Sequence, residues 1–517
     1  MALVLHAHLP WVRGAMPDTL EERWFFEAMA EVYVPLLGLL RSRTARGAPT
    51  SITVSLSPTL GAMMGDRVLA GRFVRWLDDC EALGARGREA LRSQPGLVAA
   101  LGHHQASLGR VRALWEPVQT GFAAALAEAL AAAGSERWST AYAHPYLPAL
   151  LPRSRWLAAL AVTEGLRAHT AQCGSPPAGL WLPECGWEPG MDALLAEAGV
   201  TRTVLEAHAL LGAAPRPRFA TARPVQTPRG LRVLPRDPVT ARAVWDRTVG
   251  YPGHPVYREY HRDLGALLQG RDLGPFQDPR GGNLPTGFKP FAITDRGGGE
   301  KVPYDPGAAL GQAARDAADF VATCAQTVGL CAGRMGDQIP VLVAAFDAEL
   351  FGHWWAEGLA WLEAALDGLE AAGIAAVTGA GAVAGELETV VPAASSWGEG
   401  GHGAVWLTGE GAALAGEVDQ AAEAVAALRA EHPEAVGTLR ATRELLGMAA
   451  SDWAFMLHGG GMAHYARGRF ARHRAAVYGL AHAVRSGHPA WSLPTPDTLL
   501  SDPPFVDDAP AGPSRGP

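Results

Sequence analysis

Between Ile339 and Phe346 the chain passes through eight residues without one polar side chain. A run so short and so apolar reads as a strand covered on both faces, and it ends on a carboxylate, Asp347. Similar short runs recur at residues 2–8, 51–56, 139–144, 178–182 and 200–205. Helical spacing fills the gaps: Trp24, Phe25, Met29, Val32, Leu36 and Leu40 repeat at threes and fours, and residues 155–169, 191–198, 308–329 and 353–372 continue the pattern. A further short strand is expected at 375–378. Strands alternating with helices imply a parallel α/β sheet, open or closed into a barrel.

Two stretches break the alternation. Residues 63–135 are helical throughout and too long for a connection, which predicts an inserted helical subdomain. Residues 207–300, rich in Pro, Gly and Arg, predict long loops with short strands. Beyond about 400 the strands stop, and helices are expected at 411–431, 433–449 and 464–486. The implied organisation is a catalytic unit at 1–395, a C-terminal helical domain at 396–500 and a frayed tail at 501–517.

Composition narrows the function. A formal charge of -8 argues against a nucleic-acid binder. No apolar run approaches the ~18 residues of a membrane helix, and the start is too soon polar for a secretory signal. Five widely spaced cysteines without a CxxC argue against a disulfide framework or zinc ribbon and point to a reducing cytoplasm. Of 44 basic residues only Lys289 and Lys301 are lysines. Those two mark places where a forked guanidinium would not fit.

In a parallel α/β fold the working residues gather where strands end. The polar residues there are His6 and His8, His144, Glu184, and Asp347 with Glu349. Two carboxylates facing across a pocket are the minimal equipment for cleaving a glycosidic bond. Indoles that suit the apolar faces of sugar rings stand nearby: Trp181 and Trp187, Trp354 and Trp355, and Trp397 and Trp406 in the Gly-rich stretch 395–406. Trp361 reads as core, whereas the glycines around Trp397 predict an exposed loop. His6-x-His8 also has the spacing to chelate zinc with a carboxylate, as in a deacetylase-like hydrolase. Cys185 reads as a small packing residue rather than a nucleophile. Gly379 to Gly385 has one residue too many for a dinucleotide fingerprint.

These residues carry a resemblance. His6-Ala-His-Leu-Pro10, Ala141-Tyr-Ala-His144 to Pro148, Trp181-Leu-Pro-Glu-Cys-Gly-Trp187 and Phe346-Asp-Ala-Glu-Leu-Phe-Gly-His-Trp-Trp355 resemble, in order, the motifs of glycoside hydrolase family 57. Ser396-Trp-Gly-Glu-Gly-Gly401 and Ser451-Asp-Trp-Ala-Phe455 resemble segments of that family's 1,4-α-glucan branching enzymes. The resemblance implies an incomplete (β/α)7 barrel with a helical insertion and a C-terminal α-helical domain. It implies Glu184 as nucleophile and Asp347 as general acid/base, their carboxyl groups about 5–5.5 Å apart in a retaining double displacement. His6, His8 and His144 would bond sugar hydroxyls. Trp397, Trp406 and Asp452 would line the cleft from the C-terminal side, with Trp354 beside the acid/base and Trp24 on the opposite wall. No cofactor or metal is implied. The partner is an α-1,4-glucan, handled by a cytoplasmic monomer or small homo-oligomer with no nucleic acid or membrane involved. The alternatives are an α-amylase or 4-α-glucanotransferase of the same family, or a non-catalytic glucan-binding relative.

The sequence departs from the branching-enzyme pattern in two places. Such enzymes carry a Tyr on a mobile loop after the nucleophile, and here no Tyr occurs between Tyr146 and Tyr251. Some also place a cleft Trp before the acid/base, and here none occurs between Trp245 and Trp354. Both departures predict reduced transfer and more hydrolysis. The stretch Thr286-Gly-Phe-Lys289 to Tyr304-Asp-Pro306, which holds both lysines, resembles the family as well.

Overall fold

A computed structural model describes residues 1–14, 19–246, 249–268, 270–277, 284–294 and 299–488. The expected tail at 501–517 lies outside the described residues. Five parallel strands form one sheet: β1 (Ala2–Ala7), β2 (Thr53–Leu56), β3 (Glu136–Thr140), β4 (Leu180–Trp181) and β8 (Val343–Asp347), in the order β4-β3-β2-β1-β8. A second sheet has the order β5-β7-β6-β9, from β5 (Arg202–Leu205), β6 (Val225–Gln226), β7 (Arg232–Pro235) and β9 (Glu388–Thr389). β5 and β7 are parallel; β6 runs against β7. The two sheets meet just past β7, where Arg236 N–H donates to Leu205 O and Asp237 N–H to Val343 O, each at 2.8 Å. No ladder joins β4 to β5. The result is an incomplete (β/α)7 barrel with helices around it and a helical C-terminal region.

The period of two decides which residues face inward. On β1, Ala2 and Val4 belong to the barrel's inner cluster and Leu3, Leu5 and Ala7 to the outer one. On β8, Val343 and Ala345 are inner, Ala344 and Phe346 outer. His6, His8 and Asp347 therefore continue the inward rows past the apolar plug that Trp138 and Trp181 complete.

Helices Pro58–Met64, Arg67–Ala90, Pro95–Trp115 and Phe122–Ala132 fill the span between β2 and β3. Asp66 caps the second of them, accepting from Val68 and Leu69 N–H, a contribution of about 1 kcal/mol. The C-terminal helices Gly409–Glu431, Val436–Met448, Ser451–Gly459 and Ala463–Arg485 have no core of their own. Val425, Leu445 and Val477 share one cluster with Leu157, Leu180 and Val233 from the barrel side. Among the described residues no helix is long and apolar enough to cross a membrane.

Three expectations need correction. The strand expected over 339–346 is Val343–Asp347, and Ile339, 75% exposed, lies outside it, because the ladder with β1 begins at Val343 and leaves the preceding residues off the sheet. The strand at 375–378 is a single bridge from Ala2 to Val377, because the ladder beside β1 is already filled by β8. The helix expected from His353 begins at Gly358. Residues 351–357 are a turn, which swings His353 and Trp354 away from the helix axis.

Candidate active site

Strained backbone marks the site. Ala143, His144, Glu184 and Cys185 all have φ between 49° and 59°. Left-handed backbone costs non-glycine residues roughly 1–2 kcal/mol each, and here it turns His144 and Glu184 off the ends of β3 and β4 into the barrel mouth. C-terminal segments clamp both turns. Trp397 N–H donates to Glu184 O at 3.0 Å, Ser395 and Trp187 pair as a bridge, and Ser451 N–H donates to His144 O at 3.0 Å.

The Glu184 carboxylate has a donor for each oxygen. Trp397 Nε1–H reaches Oε2 at 2.9 Å, and the Ser451 hydroxyl reaches Oε1 at 2.8 Å. Burial pushes the Glu184 carboxyl above its usual range, while these two donors pull it back. Asp347 differs. Its carboxylate receives no hydrogen bond from any described residue, and burial, then Glu349 and Glu184, hold it well above the usual carboxylate range against the opposing charge of Arg236. Arg236 is fixed by Ala345 O and Glu206. The site thus offers one carboxylate equipped to stay ionised and one carboxyl equipped to stay protonated.

Three histidines cover the floor. His6 Nε2 meets His144 Nε2 at 3.0 Å, and the rings of His8 and His144 stack at 3.8 Å. Serines on and just past β2 orient His6 and His8: Ser55 lies 3.3 Å from His6 Nδ1, and Ser57 lies 2.9 Å from His8 Nδ1. Burial holds His6 and His144 well below the ordinary histidine range. Burial works on His8 in the same direction, but the Asp452 carboxylate, 3.2 Å away, raises it overall. Of the three, His8 alone is shifted towards the charged form.

The expected aromatics divide. Trp397 is both wall and donor, with Trp245 stacked over it at 6.0 Å and 47% exposed. Trp354 is 53% exposed and stacks on Tyr260 at 4.2 Å. Trp24 meets Tyr465 edge-on at 5.5 Å, where the barrel touches the C-terminal helices. Trp406 does not line the cleft. It is 3% exposed, stacks on Tyr146 and donates to Ser451 O at 3.1 Å, so it sits behind the cleft and braces Ser451.

Other features fall into place. Cys185 is fully buried, and burial pushes its thiol well up, so it packs the barrel. The amides that follow Thr378 are taken by this chain's own groups: Gly379 N–H by Thr53 and Ala380 N–H by Glu136. Ligand-type atoms of His8, His144 and Asp452 lie within 4.8 Å of one another, as do those of Glu27, Glu31 and His353. In the second group Arg258 and Lys289 already neutralise the carboxylates. The sequence assigns no role to Arg236, Tyr33 or Tyr260, which stand on no pattern that sets them apart from core or loop, and marks Ser451 only as the start of a family-like segment. Ser55 and Ser57 were open to the period of two, since they alternate with the outward Val54 and Leu56.

Comparison with known proteins gives the chain's family. Residues 134–383 match the model of glycosyl hydrolase family 57, and residues 417–499 match that of the 1,4-alpha-glucan branching enzyme C-terminal region. A probable 1,4-alpha-glucan branching enzyme of Mycobacterium tuberculosis is 30% identical over 94% of this chain and 92% of its own. The crystal structure of an α-amylase from Thermotoga maritima superposes with a TM-score of 0.85 at 27% identity, covering 94% of this chain and 93% of its own. The structure of a branching enzyme from Thermococcus kodakaraensis, in complex with glucose and additives, superposes at 0.82 with 26% identity, covering 94% and 91%. Motif order, fold and site together establish that this chain belongs to glycoside hydrolase family 57.

Proposed function

We propose that the chain is a 1,4-α-glucan branching enzyme working by a retaining double displacement. Glu184 attacks C1 of an α-1,4-linked glucosyl unit while Asp347 gives its proton to the departing oxygen. The 6-hydroxyl of another glucan then loses its proton to Asp347 and releases the chain as an α-1,6 branch. His6, His8, His144 and Asp452 bond sugar hydroxyls, and Trp24, Trp354 and Trp397 supply apolar faces. In this reading residues 1–395 carry the catalytic unit and 396–500 complete the cleft, within a cytoplasmic route of glycogen-type glucan synthesis.

The observation that carries the reading is the unequal pair: Glu184 with two donors and Asp347 with none. Hydrolysis is the second reading. It is favoured by the likeness to the Thermotoga α-amylase and by the absence of any Tyr between Tyr146 and Tyr251. Water then takes the place of the 6-hydroxyl at the second step.

The test is incubation of the purified protein with amylose, following reducing ends before and after a debranching enzyme. New ends that appear mainly after debranching are the expected result. Ends that rise directly, with nothing added by debranching, transfer the conclusion to hydrolysis.

A further inference from the structure

A third carboxylate stands at the same strand end and has no part in the scheme above. Glu349 lies two residues past Asp347, on the turn Ala348–Leu350, and is 7% exposed. Its Oε1 accepts from the Tyr33 hydroxyl and from His8 N–H, the latter at 3.0 Å. Tyr33, itself 1% exposed, reaches it by an unusual backbone route. Residues Met29–Tyr33 form a π-helical turn between helices Leu20–Ala28 and Val34–Ala45. Such wide turns re-aim side chains and gather at functional sites. This one sends Tyr33 to Glu349 and Glu31 to Arg258 and His353. The segment after β8 presses directly against it. Gly352 has φ 130°, and a Cβ there would lie 1.9 Å from Glu31 O, so only glycine permits the contact.

Counting donors decides where a proton must sit. Glu184 has two donors, Glu349 has two, and Asp347 has none among the described residues. Burial raises the Glu349 carboxyl above its usual range, and Tyr33, the His8 N–H and the charge of His8 pull it back; Asp347, buried beside two like charges and without a donor, is held higher still and takes the proton first. We propose that Glu349 is a positioning residue: its fixed negative charge keeps the acid proton on Asp347 until the glycosidic oxygen departs, and Tyr33 is what keeps Glu349 charged. The inference rests on the assignment of Asp347 as the acid. Glu349 touches no reacting atom. The groups that face Asp347 are Glu349 on its own turn, Glu184 past β4, Arg236 past β7, His6 as its register partner on β1, Tyr33 on the π turn and the Cys185 thiol. Arg236 opposes the effect at Asp347, and His8, which acts on Glu349 and Glu184, opposes it at Glu349. The same arrangement makes Asp347 a stronger base in the second step, when it must accept the proton of the incoming hydroxyl.

The test is the pH dependence of kcat/KM for glucan cleavage in the wild type, Glu349→Gln, Tyr33→Phe and Asp347→Asn. Glu349→Gln keeps the acceptor oxygen for Tyr33 and His8 but removes the charge. Its alkaline limb is expected to move to lower pH by roughly one unit. Tyr33→Phe acts differently, because an undonated Glu349 competes for the same proton. Its plateau is expected to fall severalfold while its alkaline limb does not move down. An unmoved limb in Glu349→Gln, whatever the loss of rate, makes Glu349 a structural brace and overturns the proposal. A full plateau in Tyr33→Phe overturns it independently of how Glu349→Gln folds. Asp347→Asn should be inactive; an active Asp347→Asn would overturn the functional assignment itself, and the inference with it.

Discussion

The ends of β4 and β8 carry the same chemical group and treat it in opposite ways. Glu184 sits on a left-handed turn with φ 59°, and residues more than 200 positions away hold it. Trp397 and Ser396 bond its carbonyl oxygen, while Trp397 and Ser451 bond its carboxylate. Asp347 sits on regular extended backbone, φ -65° and ψ 134°, in register with His6. Its surroundings are local, and the acidic neighbour that acts on it most strongly, Glu349, belongs to its own turn. In the proposed roles Glu184 is the nucleophile and Asp347 the acid. A nucleophile has to remain ionised inside a low-dielectric pocket, which donors favour even at the cost of strained backbone. An acid has to hold its proton in the same pocket, so donors are withheld and like charges are kept close. The C-terminal segments therefore tune one carboxylate, and the barrel tunes the other.

The largest expected effect tests whether the two roles are really separate. Glu184→Ala and Asp347→Ala should each lose roughly a thousandfold or more in turnover. Azide added with an aryl α-maltooligoside then distinguishes them. In Glu184→Ala, azide replaces the nucleophile in a single displacement and yields the β-glycosyl azide. In Asp347→Ala, azide attacks the covalent intermediate and yields the α-glycosyl azide. The same anomer from both variants would remove the distinction drawn here.

A smaller effect should come from the donors to Glu184. Ser451→Ala or Trp397→Phe removes one charge-assisted hydrogen bond, so kcat should fall about 10- to 100-fold, the equivalent of about 1.5–3 kcal/mol. The sign of the pH effect follows from the same geometry. The donors hold Glu184 down against burial, so losing one raises its pKa, and the acid limb should move to higher pH. Removing the Glu349 charge should pull in the alkaline limb instead. A Ser451→Ala variant whose acid limb stays in place while its alkaline limb moves would show that the C-terminal segments tune the acid after all.

Strand ends were legible because strand period and polarity leave little choice. Once Ala2 and Val4 face inward, His6 and His8 must follow, and Val343 and Ala345 carry Asp347 in the same way. The inserted helices and the C-terminal helices were legible from their spacing. What the sequence hid was of two kinds. Ser451 is one hydroxyl, 267 residues from the carboxylate it serves, and no periodicity marks it. Tyr33 looks like one more apolar position on an amphipathic helix, because a π turn leaves no trace in the pattern. Trp406 misled for a physical reason. Its Gly-rich surroundings suggest exposure, yet a Cβ on Gly398 would stand 2.6 Å from the Trp406 ring. Glycine is there to let an indole pack flat on the backbone, which is a mark of burial.

The smallest expected effect lies on the acid side, at the outer edge of the turn after β8. The Lys289 ammonium lies 4.0 Å above the Tyr260 ring and 3.5 Å from Glu27, and it is 7% exposed. Tyr260 also stacks on Trp354, which is open to solvent. A compact ammonium fits beneath the phenol, whereas a planar guanidinium needs more room in a site already closed. Overpacking of this kind costs about 1–3 kcal/mol, absorbed here by displacing Tyr260 and the indole stacked on it. Lys289→Arg should therefore raise KM for long glucans severalfold and leave kcat nearly unchanged, since nothing in the stack touches Glu184 or Asp347. Arg92→Lys, on the exposed surface, is the matching control and should change neither constant. If Lys289→Arg lowers kcat and spares KM, the stack acts on the acid rather than on the sugar. The division between a carboxylate tuned from afar and one tuned by its own turn would then have to include this outer ring of charge.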